Sequence, residues 1–500
     1  MRLLVLFCIF LSLVGVIQAA PTTNTTNTTT NDSVKAPSFT TRTLWTIISS
    51  SVLTLFACIY SAIHPNIPSP KNSSWHHILW RQLTIMTMAL IAPELIVTWA
   101  MRQWFSAHQV TKQFGKLGYP SIRPESEEED SVEAPATGNW FIRFICRSPF
   151  IRLFLLLVKG ILSVPVSLWR SVCALARWVV RRIQSEQSNS DSEDPMWTQT
   201  HSFFVLMGGF MLYVDGKPYL TLRPDYILTL IRDKCIDAPT LTAKQIYDKS
   251  KGNAISKGLV MLQVAWFVMQ LITRAVYHLE TTQLEVGTLA FAVLNFLTYA
   301  VWWGKPLNVQ CPYPVYWKSE SRPEDHIDVS DPDEFSRLWY LPRLSSPIME
   351  LIGWTDIPIS RKLQVPTFDG SVDLQASDRA VVQRAALLMA IIFGGIHCMA
   401  WFLTFPTYEE QVLWRSSAVA ITCIPWLCLS VYLDSRHSAR RLPHSLHQLV
   451  WGVYVLICVA FAILYITARV ILLVLMFTTL RDIPPDAYKA VSWTSLVPHL

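Results

Sequence analysis

Charge is what this chain is short of. Only 16% of its 500 residues are Asp, Glu, Lys or Arg, against about 25% in soluble proteins. The deficit comes from discrete apolar blocks between ordinary polar segments, and 51% of the chain is hydrophobic. That pattern excludes a soluble enzyme with one large core and predicts a polytopic membrane protein in contact with the lipid bilayer. The net charge of +6 is scattered. There is no basic stripe interleaved with aromatics, so nucleic acid is not an expected partner. No CxxC pair occurs among the ten cysteines. Cys58, Cys398, Cys423, Cys428 and Cys458 fall in apolar runs, where a thiol behaves as a small hydrophobe. Neither a disulfide framework nor a metal site follows. "KGNAISKG", Lys251–Gly258, lacks the Walker spacing. With no Asp-rich diphosphate motif either, no cofactor is expected. Internal repeats, common in transporters, are absent at the level of motif.

What is present begins with "MRLLVLFCIFLSLVGVIQAAP". Arg2, the apolar Leu3–Ile17 and the small Ala19-Ala20 read as a signal peptide over residues 1–20. Residues 21–43 follow as a Thr/Asn-rich segment too polar to bury anything. Asn24, Asn27 and Asn31 each begin a glycosylation acceptor. Asn72 begins another, usable only if it is lumenal. Signal and acceptors together point to the secretory pathway, in the endoplasmic reticulum or plasma membrane.

The predicted fold class is all-α: a polytopic transmembrane helix bundle of seven to eight spans behind the signal peptide. Runs of roughly 20 apolar residues occur at Leu44–Ile63, Leu83–Met101, Gly258–His278, Gly287–Trp303, Ala385–Phe405, Ser416–Leu433 and Leu449–Phe477. Residues 44–101 thus form a first helix pair and 258–303 a hairpin. Residues 102–257 form an Arg-rich and acidic loop region, and 304–384 a polar loop or small lobe. Residues 385–478 carry the C-terminal helices and 479–500 a tail. The Arg-rich loop Asp434–Gln448 is expected to be cytoplasmic. Counting back through seven spans then conflicts with the signal peptide. An eighth span over residues 153–169, from Leu153 to Trp169, repairs the parity. The alternative is an interfacial basic helix there, with the signal retained as the first span.

Several polar residues interrupt the spans. Gln263, Gln270 and Arg274 are spaced seven and four apart, and so are Thr288, Asn295 and Tyr299. At 3.6 residues per turn each set forms one stripe. Residues 279–286 join the two helices, so the stripes are expected to meet across a hairpin. Glu94 follows Pro93 inside the second span, and His397 lies deep in the fifth. Arg469 interrupts the last. A charge facing lipid at mid-helix is disfavoured by about 2.5–3.5 kcal/mol, so these groups are expected to face one shared interior. In that reading Glu94 pairs with Arg274, and Glu94 and His397 exchange protons with a lipophilic small molecule. Gln263, Gln270, Arg274, Asn295 and Tyr299 line its pocket. The plainer reading is that amides and hydroxyls only join helices.

The stretches "APELIVTWAMRQWFSA", "THSFFVLMGGFMLYVDG", "KGNAISKGLVMLQVAWFVMQLITRAV" and "LRDIPPDAYKAVSWTSLVPHL" resemble a large group of fungal multi-pass membrane proteins. The resemblance runs in order from Leu44 to Leu500 and is weak between about Gly115 and Pro195. It implies a setting among secondary-metabolite genes of filamentous fungi and supplies no catalytic residues. The expectation is a tailoring or accessory protein, an acid/base cyclase or isomerase acting on a terpenoid- or polyketide-like substrate. The alternatives are a small-molecule transporter or receptor-like sensor, and a scaffold for other pathway enzymes.

Overall fold

A computed structural model describes residues 39–69, 74–116, 197–250, 254–327, 363, 365, 367–439 and 444–491. The expected signal peptide, Asn24, Asn27, Asn31, Asn72 and the candidate span at 153–169 lie outside them. The architecture is a helix bundle with a small mixed lobe at one end.

A short strand, β1 (Phe39–Thr41), leads into α1 (Leu44–Ala62). The Thr43 hydroxyl caps that helix by accepting the Thr46 amide at 3.2 Å. The expected straight span at Leu83–Met101 is not formed. The chain instead makes α2 (Trp75–Ile91) and α3 (Pro93–Lys116), bent by 113° at Ala92. Proline has no amide to continue the ladder, and it drives the preceding residue out of the α region. Ala92 accordingly sits at φ −140°, ψ 71°. From the bend, α3 runs through the bundle and out into the lobe, where Phe114 stacks on Trp197 with ring centroids 3.8 Å apart.

The lobe is the main departure from an all-α chain. It holds α4 (Gln199–Leu206), the hairpin β2 (Phe210–Val214) and β3 (Lys217–Thr221), α5 (Pro224–Arg232) and α6 (Ala243–Lys249). Asp215 and Gly216 at the hairpin tip both have positive φ, as a two-residue type I′ turn requires. Two helices follow, α7 (Ala254–Val276) and α8 (Gln283–Val301). Then β4 (Tyr313–Tyr316) returns to pair in parallel with β2, giving the order β3-β2-β4.

The rest of the bundle is α9 (Ala376–Met399), α10 (Tyr408–Ala439) and α11 (His444–Thr478). At 1.5 Å per residue the 35 residues of α11 extend about 52 Å, well beyond a hydrocarbon core of about 30 Å. Among the described residues, six helices are long and apolar enough to cross a membrane, or seven if the bent pair counts as one span. Leu262, Trp266, Leu456, Ile463 and Val474 are exposed on them. A contiguous apolar exterior of this kind supports a membrane protein of several passes.

The two ends of the bundle differ. At one end β1 pairs antiparallel with β5 (Lys489–Val491), with Thr40 opposite Ala490. Arg42 holds Glu285 through two nitrogens, at 2.6 and 3.2 Å. Arg274 donates to the carbonyls of Glu280, Asp486, Ala487 and Lys489. This clasp ties both ends of the described chain to the α7–α8 turn. At the other end Lys305 locks the lobe to the bundle. Its ammonium donates to the His64 carbonyl at 2.6 Å and to Gln103 Oε1 at 2.8 Å. It also lies against the faces of Trp99 and Trp302, 5.2 and 4.6 Å from the ring centroids.

Close helix approach is fixed by small residues. A methyl group on Gly394 of α9 would meet Thr422 Cβ at 2.9 Å and its Cα at 3.0 Å on α10, whereas one on the adjacent Gly395 would meet nothing within 4 Å. Gly394→Ala is therefore expected to cost about 1–3 kcal/mol by overpacking. Gly395→Ala should be neutral or stabilising by up to about 1 kcal/mol. Thermal unfolding of both variants in detergent checks this. Equal melting shifts would show that the helix contact does not limit stability.

Candidate functional site

The site begins at the break between α2 and α3. With α2 ended at Ile91, the carbonyls of Leu90 and Ile91 have no amide one turn on to accept from. In an apolar interior each such group costs several kcal/mol if left alone. Arg469 of α11 answers both. Its Nη2 donates to Leu90 O at 2.8 Å and its Nε to Ile91 O at 2.9 Å. The side chain is 0% exposed. Its guanidinium packs between aromatic rings, 4.4 Å from the Phe393 centroid and 5.2 Å from that of Phe291.

Glu94 occupies the first turn of α3 and is buried. A carboxylate there is favoured by the positive end of the helix dipole. Its Oε1 accepts the Tyr465 hydroxyl at 2.6 Å. Tyr465 and Arg469 are four apart on α11, so one helical face serves both sides of the break. Arg469 and His397 both lie against the Phe393 ring, whose centroid is 4.4 Å from the guanidinium carbon and 4.7 Å from the imidazole centroid. His397 comes from α9 and is 0% exposed. Its Nδ1 lies 2.9 Å from the Phe393 carbonyl. A carbonyl only accepts, so Nδ1 carries the proton and Nε2 is left with its lone pair. The backbone of His397 is pinned by Trp414, whose indole donates to the His397 carbonyl at 3.0 Å.

Three polar atoms of this cluster have no partner among the described residues: Glu94 Oε2, His397 Nε2 and Arg469 Nη1. They come from three helices, and they comprise two acceptors and one donor. The arrangement can hold a hydroxyl group of an otherwise apolar molecule, which accepts from Arg469 Nη1 and donates to Glu94 Oε2 or His397 Nε2. A carboxyl and an imidazole are also the usual pair for moving a proton. Among the described residues no group of three His, Cys, Asp or Glu side chains has the geometry to hold a metal.

The five expected pocket residues do not gather here. Arg274 is not the partner of Glu94. It lies in the last turn of α7, in the clasp, where it caps carbonyls of the turn and tail. The stripes of α7 and α8 do not meet each other as a hairpin should, because α1 packs against both helices. Gln263 donates to Thr54 of α1 at 3.1 Å, and α8, which carries Asn295, packs against α1. Gln270 is half-buried on α7. Tyr299 sits towards the lobe end, beside the rings of His64 and Trp303.

Tyr465 was not singled out from the sequence, and Arg469 was given no partner there. A signal did exist: "LYITARV" puts the two on one face, opposite a span interrupted by proline. The cluster also predicts a coupling. Arg469→Leu should cost on the order of 3–5 kcal/mol, since it strands a buried carboxylate and two carbonyls. Adding Glu94→Gln should recover part of that loss, with a coupling of about 0.5–3 kcal/mol in a double-mutant cycle read by unfolding in detergent. Additive losses would separate the two residues.

The chain matches the profile described as a family of unknown function (DUF8562) over residues 6–145, 171–327 and 369–500. No curated protein and no solved structure matches it.

Proposed function

This chain belongs to DUF8562, a family of unknown function, and from the buried cluster we propose a membrane-embedded acid–base enzyme acting on a lipophilic small molecule. One observation carries the reading: three unpartnered polar atoms, from three helices, at one buried locus around Arg469. Buried polar groups are nearly always satisfied, and exceptions need an explanation. A substrate hydroxyl that accepts from Arg469 Nη1 and donates to one of the two acceptors is that explanation. Glu94 and His397 then act as general acid and base, and Arg469 Nη1 stabilises charge that develops on the substrate oxygen. The resemblance to fungal proteins supports a terpenoid- or polyketide-like substrate in a secondary-metabolite pathway.

A second reading has its own support in the broken helix pair. Discontinuous helices with a terminus at mid-depth are a device of transporters, and Glu94 stands at such a terminus.

The same bend suggests a topology. Arg81 of α2 donates to the Asn66 carbonyl near the lobe end, and α3 also leaves the bundle at that end. The α2–α3 pair therefore enters and leaves on one side, around a turn held at depth by Arg469. Six crossings remain among the described residues, and both ends of the described chain face the same compartment. With an N-terminal signal that compartment is the lumen, and Asp434–Gln448 is cytoplasmic in keeping with its arginines. This reading meets the parity requirement without invoking the candidate span at 153–169, which lies outside the described residues.

Gene deletion with metabolite profiling separates the readings. An accumulated, chemically distinct precursor is the expected result. Finished product trapped in cells would favour transport, and a uniform drop in all pathway products a scaffold. Glu94→Gln should reproduce the deletion phenotype at normal protein level, and wild-type output from that variant would remove Glu94 from the chemistry. For topology, endoglycosidase treatment is expected to shift the mobility of the wild type and of Asn72→Gln equally. A C-terminal reporter should be lumenal. A cytoplasmic reporter would make the bent pair a true crossing.

A further inference from the structure

We propose that Ser321, His326 and Asp233 form a second catalytic site, on the lobe, that transfers acyl groups from carboxylic esters or thioesters by way of Ser321. The Ser321 hydroxyl lies 2.8 Å from His326 Nε2, and His326 Nδ1 lies 2.9 Å from Asp233 Oδ2. A carboxylate only accepts, so Nδ1 carries the ring proton and Nε2 keeps the lone pair that receives the serine hydrogen. This is the nucleophile, base and orienting carboxylate of acyl-transfer enzymes, which recur on unrelated folds and are recognised by geometry rather than by order in the chain.

Each member is held by its own piece of backbone. Ser321 and His326 flank a single 3-10 turn, Pro323–Asp325, closed by the His326 amide on the Pro323 carbonyl at 3.2 Å. Buried Pro323 and Ile327 anchor that turn in the lobe. The Trp317 indole donates to the Ser321 carbonyl at 3.0 Å, and its ring lies 5.9 Å from that of His326. Asp233 caps the C-terminus of α5, its amide on the Thr229 carbonyl at 2.9 Å. The chain reverses at Lys234, which takes a left-handed φ of 59°. The Lys318 amide then bonds the Cys235 carbonyl at 2.9 Å, tying the serine segment to the aspartate segment.

The proton path is defined at its outer end as well. Ser319 Oγ accepts the Ser321 amide at 3.2 Å and lies 2.6 Å from Ser321 Oγ, where either hydroxyl can donate; in the reactive arrangement Ser319 is the donor. The Ser321 hydrogen is left with His326 as its acceptor. A purely structural role explains little of this. The His326 and Asp233 side chains are 24% and 34% exposed, and surface pairs of that kind contribute about 0–1 kcal/mol. The backbone bond from Lys318 to Cys235 already joins the two segments. Partial exposure is instead what a nucleophile needs to reach a substrate.

In the proposed step Ser321 Oγ bonds to the acyl carbon while its proton passes to His326 Nε2. The tetrahedral species collapses, the bond to the leaving alcohol or thiol breaks, and that group takes the proton from His326. Water repeats the sequence on the acyl-serine, releasing the carboxylic acid and restoring the hydroxyl. Asp233 is a positioning residue that holds the imidazole tautomer.

The test uses the full chain purified in detergent, a fluorophosphonate probe and a p-nitrophenyl acyl ester. The probe is expected on Ser321 by peptide mass spectrometry. Ester turnover should fall by about 10³-fold or more in Ser321→Ala and His326→Gln. Asp233→Asn should lose at least roughly tenfold with the same melting temperature, a loss that a structural role would not produce. Absence of probe on Ser321 in folded wild-type protein, or turnover unchanged in Ser321→Ala, overturns the proposal.

Discussion

Two main-chain carbonyls and one guanidinium hold the centre of this molecule. Pro93 ends α2 in the middle of an apolar bundle, which strands the carbonyls of Leu90 and Ile91 where no water can serve them. Arg469 serves them at 2.9 Å or less. Without that residue the break would have to close into a continuous helix or leave the interior. With it, the chain can turn by 113° at depth and direct α3 back towards the lobe. The lobe's position, the approach of Glu94 to Tyr465 and the closing of α9 over the guanidinium all follow from this turn.

The same chemistry recurs away from the centre. Arg274 serves carbonyls of the α7–α8 turn and the tail, and Arg42 serves the Ala487 carbonyl as well as Glu285. Lys305 serves the His64 carbonyl, and Arg102 that of Phe368 at 2.9 Å. Buried cations in this protein mainly satisfy main-chain oxygen at helix ends and turns, with carboxylates in a minor role. A carbonyl's partial charge lets a guanidinium be buried without a matching anion. Each bond also fixes a piece of backbone, which side-chain ion pairs do only indirectly. Broken and irregular backbone near a bilayer therefore calls for arginine.

This explains what the sequence could and could not reveal. Apolar run length located α1, α7, α8, α9, α10 and α11, because the hydrocarbon thickness imposes it directly. Pro93 was visible as a weak point, and Glu94 and His397 as groups too costly to face lipid. Their true companion was harder to identify. Arg274 and Arg469 look alike as arginines in apolar runs, and a helical stripe gives azimuth without depth. Arg274 falls in the last turn of its helix, where the chain emerges, whereas Arg469 lies nine residues before the end of α11. The facing of α7 and α8 failed for another reason. A short link makes two helices neighbours along the chain, but α1 wedges against both and takes the Gln263 amide as its own partner. Tyr465 carried no signal by itself, since a tyrosine in a span is unremarkable until a carboxylate is placed against its hydroxyl.

The central cluster is more than a repair of the helix break. Repair needs two of the guanidinium's donors, and those two are used. It does not need a carboxylate with one free oxygen, nor a histidine whose outer nitrogen is bare. Either group could be replaced by an apolar side chain without leaving a carbonyl unserved, and an apolar side chain would be cheaper to bury. Tyr465 satisfies one oxygen of Glu94 and stops there. Glu94 and His397, from two helices, thus bear a desolvation cost that the fold does not require, and they bear it around the same cation. Such a cost is consistent with a site kept open for a polar group that arrives from outside, on a molecule apolar enough to reach it through the bilayer.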